Sequence, residues 1–154
     1  MLRLFFQTTI SVLFLFAYLA GLAQNEKRQY MIQNLESEAS LTIDGEITED
    51  SWQDSTGEWS TNFIQRTPNE GQEPSSPTAF KVLYDARLLY IAVQCFEKDP
   101  NTINRRMSRR DGYNGDWVEV ILDSYLDKRT AFAFSLSAAG VKSDKYISLN
   151  GADE

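Results

Sequence analysis

Between residues 78 and 138 the chain alternates apolar and polar side chains in runs of six to nine residues, and each run stops at a turn signal. Thr78 to Tyr84 (TAFKVLY) puts Phe80, Val82 and Tyr84 on one face. Leu88 to Phe96 (LLYIAVQCF) puts Leu89, Ile91, Val93 and Cys95 on one face, with Tyr90, Ala92 and Phe96 on the other. Asp116 to Leu122 (DWVEVIL) sets Trp117, Glu119 and Ile121 opposite Val118, Val120 and Leu122. Thr130 to Ala138 sets Phe132, Phe134 and Leu136 opposite Ala131, Ala133 and Ser135. A period of two is the signature of half-buried strands and is incompatible with an amphipathic helix. Asp85-Ala86-Arg87, Asp99-Pro100-Asn101 and Ala139-Gly140 punctuate these runs. Strands at this spacing predict an antiparallel β-sandwich.

The flanking segments read differently. Leu41 to Asp44 alternates and stops at Asp44-Gly45, a turn signal. Acids after Thr48 suit the first turn of a short helix around Trp52, whose ring is expected in the core. Trp59 to Ile64 reads as a strand. Residues 67–77 hold three of the four prolines and read as a loop. Val141 to Leu149 reads as a returning strand, and Asn150-Gly151 as a turn into another. So few residues follow that the sandwich is expected to be incomplete at its C-terminus, as a fragment of a longer reading frame.

The N-terminus belongs to another class. Arg3 is the only charge before Glu26, residues 10–23 are apolar apart from Ser11, and Gly21 and Ala23 occupy the -3 and -1 positions of a cleavage site. This predicts a signal helix over residues 1–23, removed on export. Residues 24–40 are then a polar leader, either loosely ordered or supplying one strand to an edge. The sandwich occupies residues 41–154. An exported protein with one cysteine forms no internal bridge, and Cys95 is expected to be a buried thiol.

Composition excludes several chemistries. The chain of 154 residues has no histidine and one cysteine, so it holds no His-based triad, His-ligated metal or Cys-pair zinc site. A net charge of -7 argues against nucleic acid as a partner. Asp116, Glu119 and Asp123 do not make a glycosidase pair. Glu119 and Asp123 share a strand face at roughly 13 Å, beyond the separation that acid and nucleophile need. Axial haem ligation would fall to Lys and Met residues such as Met107. Arg105, Arg106, Arg109 and Arg110 form a basic cluster whose guanidinium forks suit hydroxyl pairs, carboxylates or phosphates, or else pair with Asp111, Asp116 and Glu97. Asp111, Asn114 and Asp116 offer oxygen ligands for a structural calcium, or a turn held by its own side chains. Trp117 reads as a stacking surface or as core.

The ordered combination LTIDGEITEDSW, TAFKVLYDARLLYIAVQCFEKDP and GDWVEVILDSYLDKRTAFAFSLSAAGVKSD resembles the family 9 carbohydrate-binding modules in their family-9-like form. RRMSRRDG and DKRTAF resemble an exported Gram-negative subgroup, in which such a domain precedes an outer-membrane-barrel-like region. The resemblance implies a jelly-roll-like sandwich that binds sugars and a place beside xylanases and related glycosidases. It implies further that Tyr84 stands where sugar-binding members stack a Trp, although a strand-end ring capping the core is the alternative. The expected function is therefore a non-catalytic module that targets a larger exported protein to polysaccharide of the xylan or cellulose type. Tyr84, Arg109, Arg110 and Trp117 are its candidate sugar contacts. The alternative is a periplasmic or surface interaction domain of an outer-membrane protein without sugar affinity. The parent protein would be a hydrolase only through residues outside this segment.

Overall fold

The computed structural model describes residues 28–35, 41–53, 57–112, 114–148 and 152–153. The expected signal helix lies outside them. The chain divides into Met1–Met31 and Ile32–Glu154, and all the regular structure described here belongs to the second unit.

That unit is all-β, as the alternation predicts. The first sheet has the order β1-β2-β3, with β1 at Gln33–Asn34, β2 at Thr78–Tyr84 and β3 at Leu89–Cys95. The second has the order β4-β5-β6-β7, with β4 at Trp117–Leu122, β5 at Ala131–Ser137, β6 at Lys142–Ser148 and β7 at Ala152–Asp153. All pairs are antiparallel except β1 on β2. The leader thus contributes an edge strand. The turn expected at Asn150-Gly151 lies outside the described residues. Residues 59–64 do not form the expected strand. Only Ser60 pairs, exchanging two backbone bonds of 2.9 Å with Phe80.

Asp85 builds the β2–β3 hairpin. Its Oδ1 accepts the N–H groups of Arg87 and Leu88, both at 2.7 Å, and its Oδ2 accepts the Tyr90 hydroxyl at 3.0 Å. Those backbone donors, Arg87 first, hold its carboxyl below the ordinary carboxylate range. The Thr130 hydroxyl and N–H, with the Arg129 N–H, do the same for Asp127 between β4 and β5. A depressed carboxyl contributes stability above its unfolded pKa and loses it as pH falls through the folded value. The melting temperature is therefore expected to drop below about pH 4. Thermal melts of Asp85→Asn and Asp127→Asn should show a shallower acid dependence.

The packed core lies on one face of the first sheet. Leu83 and Ala92 meet Leu35, Trp52 from the short helix α1 (Asp50–Gln53), and the half-buried Leu41, Ile47, Trp59 and Tyr90. The helix forms where the acids after Thr48 predict it, and Trp52 is core as expected. Lys81 sits among these residues at 1 % exposure. Its Nζ donates to the Trp52 carbonyl at 2.8 Å, a carbonyl at the end of α1. Burial lowers its pKa. The folded state thus binds this proton less tightly than the unfolded chain, so stability should rise as pH climbs toward about 10.4. Lys81→Met should remove that rise in denaturation midpoints measured between pH 7 and 9.5.

The other face of the first sheet, with Leu89, Ile91, Val93 and Cys95, turns toward Val118, Val120, Leu122, Phe134 and Leu136 of the second. A groove of about 1060 Å³ separates them. Cys95 lines it and is exposed, contrary to the expectation of a buried thiol. In β5 the small residues Ala133 and Ser135 are buried, whereas Phe134 and Leu136 are 50 % and 52 % exposed.

Candidate functional site

The walls of the groove are aliphatic and aromatic, and polar side chains gather at one end. Residues 103–116 bring Ile103, Arg105, Arg110 and Asp116 to the lining, beside Trp117 and the β6 residues Lys142 and Asp144. This loop is clasped at its base. The Asn104 N–H donates to Asp116 Oδ2 at 3.0 Å, the Asp116 N–H returns a bond to the Asn104 carbonyl at 3.0 Å, and the Ala138 N–H donates to the Asp116 carbonyl at 2.8 Å. Gly115 makes the clasp possible. Its φ of +94° is left-handed, and a Cβ there would overlap the Asn104 carbonyl oxygen. At the loop tip, Ser108 Oγ donates to the Gly112 carbonyl at 2.8 Å and the Gly112 N–H to the Arg109 carbonyl at 3.0 Å.

Arg110 reaches across to β6 and bonds Asp144, with Asp111 at 3.7 Å from its Nε. The Arg105 and Lys142 side chains are exposed at the same end of the groove. Glu97 also lines the groove. The Ser76 hydroxyl at 2.8 Å and the N–H groups of Lys98 and Asp99 hold its pKa down. Forked cations and anions spaced around an apolar groove can bind a neutral polyhydroxyl ligand, because each hydroxyl both donates and accepts.

The structure brings together Arg110, Asp116 and Trp117. Trp117 is 45 % exposed, so its ring is available for stacking and is not core. By strand alternation it shares a face with Glu119 and Ile121 and stands at the rim. Arg109 projects from the loop outside the groove lining. Tyr84 ends β2 on the face of Phe80 and Val82, partly exposed, and does not join the lining either. Of the oxygen-rich set Asp111, Asn114 and Asp116, Asp116 bonds the Asn104 N–H and Asp111 pairs with Arg110. Among the described residues no group of three or more acids, cysteines or histidines is gathered for a metal.

The acid of β4 and the one that follows the strand also have structural partners. Glu119 accepts the Ser135 hydroxyl at 3.0 Å and pairs with Lys145 at 3.5 Å. Asp123 accepts the N–H groups of Asp127 and Lys128 at 3.1 and 2.8 Å. The alternation alone does not reveal the contributions of Lys142 and Asp144. Their place follows from the β5–β6 register, which sets Lys142 opposite Leu136 and Asp144 opposite Phe134.

No curated protein and no solved structure matches the chain. A family model does. The description "Carbohydrate family 9 binding domain-like" covers residues 43–154, a range that holds β2 to β7. With most of its length matched, and with a two-sheet β-sandwich as its architecture, the chain belongs to the carbohydrate family 9 binding domain-like family.

Proposed function

We propose that this domain is a non-catalytic carbohydrate-binding module of an exported protein, holding a larger protein on polysaccharide of the xylan or cellulose type. The observation that carries the reading is the polar end of the groove, where Arg110, Asp144, Arg105 and Lys142 gather beside the start of β4, whose Trp117 is half exposed. A flat indole receives the apolar face of a pyranose, and the surrounding charged groups take its hydroxyls. Membership in a carbohydrate-binding family supports the ligand class. The apolar N-terminal run with Gly21 and Ala23 supports export. Asp116, Glu119 and Asp123, on and beside β4 and each committed to a hydroxyl, an ammonium or backbone N–H groups, support a binding role rather than hydrolysis.

Depletion onto insoluble xylan and cellulose tests the reading. The protein should leave the supernatant in the presence of at least one of these polymers. Arg110→Ala should weaken retention by about tenfold, the loss expected of one charge-assisted contact. Retention on neither polymer would reject the reading. A second reading, an interaction domain of an outer-membrane protein without sugar affinity, draws on the aliphatic groove wall of Leu89, Ile91 and Val93. The same assay separates the two.

A further inference from the structure

Residues 105–110 (RRMSRR) hold four of the nine arginines of a chain whose net charge is -7. Two of the four serve the groove, Arg105 in its lining and Arg110 through its bond to Asp144. Arg106 and Arg109 do not line it. Both are exposed, and so is Met107 between them, at 74 %. Among the described residues no carboxylate pairs with Arg105, Arg106 or Arg109. The acids nearest in sequence are engaged elsewhere. Asp99 Oδ1 accepts the Asn101 N–H at 3.0 Å, Asp111 pairs with Arg110, and Asp116 accepts the Asn104 N–H. Held within six positions, the uncompensated guanidiniums repel one another, a cost that an anionic partner removes. The backbone that carries them is braced at its base by the Asn104–Asp116 clasp and at its tip by the bonds to Gly112, so little ordering remains to be done on binding. All four cations are arginine. A guanidinium fork takes both oxygens of a carboxylate at once, whereas docking on a charged lipid surface asks for apolar anchors, of which residues 105–110 offer one, Met107.

We infer that Arg106 and Arg109 form a carboxylate-binding edge beside the groove, and that the polysaccharide this module takes carries uronic acid groups. The inference rests on the carbohydrate reading above and deepens it by naming the ligand class. The groove end takes neutral hydroxyls, and the loop tip takes a carboxylate of the same polymer. The acidic remainder of the surface repels such a polymer, so attachment runs through this edge.

Native glucuronoxylan, and the same polymer with its carboxyl groups reduced to alcohols, form the test pair for calorimetric titration. The protein should bind the native polymer at least about fivefold tighter in about 20 mM NaCl, and about 500 mM NaCl should bring the two within about twofold. Arg106→Gln alters an exposed side chain outside the groove. It should fold normally by circular dichroism, keep its affinity for the reduced polymer and lose part of the preference. Arg106→Gln with Arg109→Gln should abolish the preference. Three results overturn the inference and leave the module reading standing: equal affinity for the two polymers at low salt, binding to neither beside retention on cellulose, or a preference that survives the double substitution. Binding to neither polymer and no retention on cellulose overturns both. Sedimentation with mixed phosphatidylglycerol and phosphatidylcholine vesicles probes the other anionic surface. Capture by the vesicles without a preference between the two polymers would assign the loop to lipid and overturn the uronate assignment.

Discussion

Trp52→Ala should cost about 3–5 kcal/mol of unfolding free energy, the usual cost of truncating a large buried aromatic ring. Trp52 is 4 % exposed and is the largest of the buried side chains in the cluster that joins α1 to the first sheet. Removing it leaves a void between Leu83, Leu35 and Ala92, and the four-residue helix has little else to hold it in place. It would also loosen the seat of Lys81, whose ammonium depends on the Trp52 carbonyl. Against a typical total of about 5–15 kcal/mol, such a loss brings the domain close to its unfolding threshold. Urea denaturation followed by circular dichroism would register it as a large drop in midpoint. A change under about 1 kcal/mol would mean that the core lies elsewhere.

Gly115→Ala should damage the site as well as the fold. The substitution demands a left-handed backbone from an L-residue, which costs about 1–3 kcal/mol, and places a Cβ against the Asn104 carbonyl oxygen. The backbone cannot satisfy both constraints without opening the clasp between Asn104 and Asp116. That clasp positions Arg105 and Arg110 on one side and Trp117 on the other. Oligosaccharide affinity should therefore fall at least about tenfold even at temperatures where the variant is folded. Gly140→Ala is the control. Gly140 has a φ of +80° but meets nothing within 4 Å of a built Cβ. It should lose stability from the backbone term alone and keep its affinity.

The strands were legible because their side chains alternate. β2 to β6 fall where period two places them, and Asp85 and Ala139-Gly140 mark two of the turns that join them. Residues 59–64 alternate less cleanly, a single residue of them pairs, and Phe63 meets Phe80 edge-on at 5.8 Å. Which face of each strand is covered was not legible. Alternation says that Phe80 opposes Lys81. It does not say that Trp52 will cover the lysine side and bury a charge there, since that depends on where α1 docks. The same gap accounts for Cys95, which is apolar in pattern yet faces the open groove.

The site was legible in part. The concentration of arginines before the β4 strand marks Arg110 and its neighbours, and Trp117 is visible as an aromatic at a strand start. Their gathering with Lys142 and Asp144 depends on register between β5 and β6 and on a clasp closed by backbone atoms. Neither leaves a motif in the sequence. Tyr84, identified through the family resemblance, lies outside the groove lining, where the arrangement of the two sheets decides its surroundings.

Tryptophan fluorescence during titration with xylohexaose and cellohexaose tests the central claim most directly. Of the three tryptophans, Trp52 is buried and Trp59 packs against the core, so a ligand at the groove end should act on Trp117. The account predicts a saturable change with at least one of the two sugars, absent in Trp117→Ala. A folded protein whose emission is unmoved by either sugar, with no heat of binding in calorimetry, would contradict it.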